Sequence, residues 1–208
     1  YSIYARLSQI LSSGYREKSW VKFNSYYVSA ARYDENLTTQ LNFFGGPIAD
    51  GLVYNGLPKF AVKDKELRRK NYSYWETDRN HTKITYAVER KSDEIENFSQ
   101  PHFEILNDLK INDQLSLNSA LFLVIGQGFF DYDGSWSIYY DDYFRLRQNG
   151  FDTNYIPTNA LIRAQVENTQ WGWIPKLNLK HTNGSLIVGA EYRNHRSVHW
   201  GSINFAEN

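Results

Sequence analysis

Short turns and very long connections alternate along this chain. The runs "WVKFNSYYVSAARY" and "LTTQLNFF" are joined by "DEN", and "HFEILNDLKI" meets "QLSLNSALFLVI" through "ND". "WGWIPKLNLKH" turns at "TNG" into "SLIVGAEYRNH", and Asn-Gly between alternating runs is the strongest short hairpin signal. Between these hairpins the connections run over roughly 45–100 and 127–158. Structureless loops beyond ~12–15 residues are rare inside a compact domain. A barrel that crosses an outer membrane carries them systematically, with tight turns at one end and long loops at the other.

The runs alternate in chemistry as well as in length. In "QLSLNSALFLVIGQG" (114–128), Leu115, Leu117, Leu121, Leu123 and Ile125 share one parity. Ser116, Asn118, Ala120 and Gly126 share the other, with Phe122 and Val124 as exceptions. Successive strand side chains point to opposite faces, so one face is greasy and the other small or polar. A soluble sandwich produces that pattern, and so does a barrel in lipid. Trp171, Trp173, Leu177 and Leu179 form a second such parity, answered across the turn by Leu186, Val188, Ala190 and Tyr192. Leu37, Leu41 and Phe43 oppose Thr38, Gln40 and Asn42, while Val21, Phe23, Tyr27, Ala31 and Tyr33 take one face of the preceding run.

On the barrel reading, Leu117, Leu121, Leu123, Leu177, Leu179, Leu186 and Val188 face lipid. Tyr33, Phe43, Trp171, Trp173 and Tyr192 sit near strand ends, where an aromatic girdle meets headgroups. The charges Arg6, Lys22, Glu191 and Arg193 fall on the other parity. "NALIRAQVEN" has its apolar parity opposite to that of Trp171 and Trp173, which predicts a bulge or an exit from the membrane near 167–170. The expected fold is therefore all-β: one domain over 1–208, an antiparallel transmembrane β-barrel segment of about six to eight strands with long extracellular loops.

Composition closes off several classes. Net charge is zero, with 23 basic and 23 acidic residues, against the basic excess of a nucleic-acid binder. There is no run of about 18 apolar residues, hence no helical span; a strand spans with only ~9–11 residues. Aromatics reach 16% while mean hydropathy is −0.60, a mixture that suits a wall with a polar lumen and aromatic rims. No Cys is present, so no disulfide framework or thiol metal site is expected. The chain opens on Tyr1 rather than Met, which is expected of a processed product or a piece of a longer chain.

"SSGYREKSWVKFNSYYVSAARYDENLTTQLNFFGGP" resembles the mid-barrel of TonB-dependent outer-membrane receptors, where a "dGyRe.s" loop precedes a down strand, a short turn and an up strand. "QPHFEILNDLKINDQLSLNSALFLVIGQGFFDY" is similar to a further hairpin of that family, and "HRSVHWGSI" to an up strand ending in an external loop. The resemblance implies a barrel of about 22 strands around an N-terminal plug, importing a scarce nutrient with energy relayed from the inner membrane. It implies the bacterial outer membrane as location. The partners would be outer-membrane lipid, the plug domain, an energy-coupling protein and a small nutrient ligand (a siderophore, glycan or peptide), with no cofactor. This chain departs from the family in having no plug domain, no energy-coupling box near its start and no terminal strand ending in an aromatic, and is expected to be a fragment.

Chemistry-bearing patterns are sparse. In "DYDGSWSIYYDDYF" (131–144), Trp136, Tyr139, Tyr140 and Tyr143 could form a stacking platform for a ligand, or pack the loop upon itself. Asp131, Asp133 and Gly134 echo the start of a calcium loop, but no Glu follows at the required distance. "GGPIADGLVYNGLPKF" (45–60) matches no phosphate-binding spacing and reads as turn punctuation. His195 and His199 stand four apart, a spacing for a metal on a helix, not on a strand. Asp141 and Asp142 are adjacent, wrong for a glycosidase pair, and no nucleophile elbow occurs. No catalytic constellation emerges, so a non-enzyme is expected. A passive porin-like barrel and a soluble β-sandwich carbohydrate-binding module remain the alternatives to a receptor.

Overall fold

The computed structural model describes residues 1–89, 93–139 and 141–207. Ten of its strands form one antiparallel sheet: β1 (Ser2–Ser12), β2 (Val21–Tyr33), β3 (Leu37–Gly45) and β4 (Ile48–Gly51), then β7 (Ile95–Ser99), β8 (His102–Lys110), β9 (Leu115–Asp133), β10 (Asn159–His181), β11 (Gly184–Gly189) and β12 (Tyr192–Glu207). The remaining two, β5 (Trp75–Thr77) and β6 (Ile84–Ala87), make a separate hairpin inside a loop. β3 continues into β4, β7 into β8 and β11 into β12, each pair laid end to end against the same neighbours. The sheet is thus seven lanes in chain order, up and down. Among the described residues no helix is long and apolar enough to cross a membrane.

The breaks inside lanes have local causes. Pro47 and Pro101 lack the N–H that a ladder needs. A Cβ on Gly46 would collide with the Asn24 carbonyl, so glycine alone permits the approach that lets Asn24 N–H donate to Pro47 O at 3.1 Å. Three tight turns, 34–36, 111–114 and 182–183, lie at one end of the sheet. The connections 13–20, 52–94 and 134–158 lie at the other. Both long loops are shorter than expected: 45–100 contains β4 and β7, and 127–158 contains the last part of β9. Gly126 and Gly128 interrupt the alternation there while the backbone stays paired to β10.

Cross-strand register decides which parities share a face. Ile3, Ala30, Leu41, Ile105, Leu121, Trp173 and Tyr192 are successive partners across all seven lanes. The next row carries Ala5, Val28, Phe43, Phe103, Leu123 and Trp171. Below them run Leu37, Leu109, Leu117, Leu177 and Val188, with Leu179 opposite Leu186. The seven residues expected on the greasy face therefore do share it.

Two expectations about faces fail. Val21, Phe23, Tyr27, Ala31 and Tyr33 lie on the opposite face, because the β2 residues that pair with Leu41 and Phe43 are Ala30 and Val28. β2 is apolar at both parities, so only its partner's register could choose. Tyr33 thus leaves the proposed girdle, and so do Trp171, Trp173 and Tyr192, which lie in the rows of Leu123 and Leu121 in the middle of the lanes rather than near strand ends. Lys22 falls on the greasy parity, in the row of Ala49, beyond the apolar rows. In β10 there is no slip near 167–170. Its pairing to β9 is continuous from Leu161 to Leu179, and the bulge, against β12, falls between Leu161 and Ile162.

The apolar parity changes along β10 because the surroundings of each face change. Ala160 and Ile162 are buried under the 134–158 loop, with Ile138 and Ile156. Trp171 and Trp173 lie further down, on the uncovered face.

Candidate functional site

The sheet has two chemically distinct faces. Along the apolar one, Leu41, Ile105, Leu121 and Trp173 are 50%, 41%, 44% and 44% exposed, large side chains with nothing over them. Fully burying such a side chain is worth ~1.5–3 kcal/mol, and in proteins generally large exposed apolar patches mark contact with a partner or an apolar solvent. Within this band, over 115–125 of β9 and 171–179 of β10, the outward parity carries no charge. Its polar groups pair with one another: Thr39 Oγ1 donates to Asn107 Oδ1 at 2.8 Å, and Trp173 Nε1 donates to Ser119 Oγ at 2.7 Å. Phe43 stacks on Phe103 at 4.7 Å between centroids.

The opposite face is polar and more enclosed. Tyr27 Oη and Gln40 Nε2 donate to Asn42 Oδ1 at 3.1 and 2.8 Å, and Asn42 Nδ2 donates to Glu104 Oε2 at 3.0 Å. Asn178 Nδ2 donates to Asn118 Oδ1 at 2.7 Å. In β8 the side chains alternate, exposed at Phe103 and Ile105 and half-buried at His102, Glu104 and Leu106. Among the described residues no other strand packs over β8 beyond its two sheet neighbours, and towards its end the pattern reverses, with Asp108 and Lys110 exposed and Leu109 half-buried.

Both long loops pack onto the inner parity at its far end. Tyr54 meets Phe130 at 5.9 Å. Ile138, Ile156, Ala160 and Ile162 form a buried cluster, with Tyr132, Phe144 and Leu146 against it. The aromatic platform expected here is only partly visible. Trp136, in the short helix α1 (Ser135–Tyr139), and Tyr143 are 65% and 59% exposed. Tyr143 lies edge-on to Phe144 at 5.2 Å. Tyr140 and the side chain of Tyr139 lie outside the described residues. Isoleucines and Phe144 hold the loop down, leaving Trp136 and Tyr143 outward.

The carboxylates reminiscent of a calcium loop have other partners. Asp131 is fully buried and receives both Arg163 Nε (2.8 Å) and a terminal guanidinium nitrogen (2.9 Å), while the guanidinium lies 3.6 Å from the Phe129 ring centre. Asp133 accepts from Ser135 N and Oγ at 3.0 and 2.6 Å. His195 and His199 share the inner parity of β12, and Ser197 Oγ lies 2.7 Å from His199 Nε2.

Two features escape the sequence. Asp50 and Glu96 are direct cross-strand partners on the inner parity, beyond the apolar band. Burial pushes both carboxyls above their usual range, and the Asp50 charge adds to the effect on Glu96. Asp50 Oδ1 is buried without a hydrogen-bond partner. The second feature is a cavity of about 680 Å3 inside the 52–94 loop, walled by Tyr72, Trp75, Asn55, Lys59 and the turn at Asn80 and His81.

No protein family, curated protein or solved structure matches the chain. The two faces and the loops carry the functional reading.

Proposed function

We propose that this chain is part of the barrel wall of a TonB-dependent outer-membrane receptor, in which the apolar face meets lipid and the polar face lines the lumen around a plug. The observation that carries the reading is the exposed apolar row running unbroken through seven lanes. It lies opposite a hydrogen-bonded polar face. The apolar parity of β9 covers 115–125, about 33 Å along the strand. At a tilt of ~40° that is about 25 Å, the height of the apolar band of an outer-membrane barrel.

The seven lanes are a segment of the wall. Among the described residues β1 pairs with β2 and β12 with β10, and the two outer lanes do not pair with each other. Open edges in hydrocarbon leave backbone groups unsatisfied, so further strands must complete the ring. The long loops at one end are the external ones, with Trp136 and Tyr143 among the residues offered to a nutrient ligand. Their packing over the inner parity at Phe130 and Ile162 favours a closed receptor over a passive pore. A soluble sandwich needs a second sheet over the apolar row, and among the described residues none covers Leu121 and Ile105.

The test is expression of the full reading frame in a bacterial host. Recovery in the outer-membrane fraction, with faster gel migration when unheated than when boiled, is the expected result. Recovery as a monomer in the detergent-free soluble fraction would overturn it.

A further inference from the structure

The cavity in the 52–94 loop has the make-up of a site for a small ligand, and its walls are held in place before anything binds. Trp75 is fixed from two sides. Its Nε1 donates to Glu17 Oε2 at 2.9 Å, and Lys70 Nζ stands 3.5 Å from the ring centre. Lys70 also lies 3.8 Å from Glu17, which ties the two restraints together. Tyr72 is buried, and its hydroxyl donates to Leu67 O at 3.0 Å. Asn55 Nδ2 donates to Tyr72 O at 2.9 Å. Across the cavity, the Asp78 carboxylate accepts from Thr82 N and Lys83 N at 2.7 and 2.8 Å and from Thr82 Oγ1 at 2.9 Å. That turn holds His81 in a left-handed conformation (φ 53°), and Thr77 Oγ1 lies 2.9 Å from His81 Nδ1. A preorganised wall lowers the ordering cost of binding.

The chemistry of the wall narrows the ligand. One cation, Lys59, and one anion, Glu76, line the cavity, so it carries no excess charge. A highly charged ferric chelate would need one. The remaining polar groups are amides, a hydroxyl and an imidazole, which both donate and accept. They surround a Trp and a Tyr ring, apolar bodies with polar tips. Neutral hydroxyl-rich molecules with apolar ring faces answer both features. The volume, about 680 Å3, falls within the ~300–1,000 Å3 usual for small-ligand sites.

We infer that the Trp75 cavity binds a neutral oligosaccharide, with Trp75 as the stacking surface and Asn55, Asn80 and His81 as hydrogen-bonding groups. This rests on the receptor reading, since it makes the 52–94 loop the external recognition element. The test is carried out on the full reading frame, folded in detergent, by titrating maltohexaose, cellohexaose, laminarihexaose and ferric citrate while following tryptophan fluorescence and heat release. At least one hexaose is expected to bind saturably. Trp75→Ala is expected to weaken it by about tenfold or more, and the exposed Asn80→Ala by a few-fold, so that the result does not hinge on the half-buried Trp75 alone. Asn183→Ala, in the turn at the other end of the sheet, is expected to change nothing. Failure of all three hexaoses to bind, binding indifferent to both loop variants, or saturable binding of ferric citrate at Trp75 would overturn the inference. The same samples run unheated on a gel report the barrel separately, so loss of sugar binding and loss of the receptor reading give different signatures.

Discussion

Replacing Leu121 by arginine separates a lipid-facing wall from a water-facing sheet. Leu121 is 44% exposed, between Ile105 and Trp173, and is the sixth step of the ten from Leu115 to Ile125. One step past the midpoint, along a tilted strand, puts it about 2–3 Å from the centre of the band. An arginine that deep in a bilayer costs ~2–4 kcal/mol, or roughly 30- to 700-fold in the folding equilibrium. On a sheet that faces water, the same change at an exposed position stays within ~0.5 kcal/mol. Asn118→Arg is the control: three residues away on β9, it lies on the polar parity. The assay is urea-dependent folding of the full chain into lipid vesicles. Leu121→Arg is expected to shift the equilibrium by at least ~2 kcal/mol and Asn118→Arg by less than ~1 kcal/mol. Equal shifts for the two variants would refute the assignment of faces.

Other parts of the structure give independent expectations. Arg163→Ala strands the fully buried Asp131 carboxylate and is expected to cost ~3–5 kcal/mol, read as a lower urea midpoint. Ile138→Ala opens a cavity under the second loop, where Ile138 is fully buried; a local loss of ~2–5 kcal/mol is expected to appear as faster proteolysis within 134–158 while the sheet stays intact. Asp50 and Glu96 have raised pKa values when folded, so the folded state holds protons that the unfolded state has released. Their contribution is full below the ordinary carboxylate range and is lost as pH rises through the raised values. The urea midpoint should therefore fall as pH rises above the ordinary carboxylate range, about pH 4, and Glu96→Gln should flatten that fall; an unchanged pH profile in the variant would count against the pairing.

Much of this was legible in residues whose alternation is clean. Leu117, Leu177 and Val188 fall in register because the short turn at 182–183, closed by the pair His181 and Gly184, joins β10 to β11, and Leu115 to Ile125 alternate with small or polar neighbours. Legibility ended where both parities carry the same chemistry, as at Tyr26, Tyr27, Val28, Ala30 and Ala31 in β2. It ended also where a third layer intrudes: loop residues cover Ile162, and the inner face turns apolar there without any bulge near 167–170. The ends of lanes were hidden because β4 and β7 are only four and five residues long and are set off by prolines, Pro47 before β4 and Pro101 between β7 and β8. The loop features needed the fold itself. Asp50 meets Glu96 only through pairing across 46 positions, and the Trp75 cavity draws on Asn55, Tyr72 and His81 from separate parts of one loop.

These 208 residues contain no cysteine, so a single introduced thiol carries a spin label at a chosen site. With the full chain in lipid vesicles, labels placed one at a time at 117, 119, 121 and 123 and at 116, 118, 120 and 122 report collision with oxygen, which concentrates in acyl chains, and with a water-soluble nickel chelate. The expected result is strict alternation, oxygen-rich at the odd positions and not at the even ones. Odd positions that collide with the nickel chelate, or the same response at both parities, would contradict a wall that faces lipid.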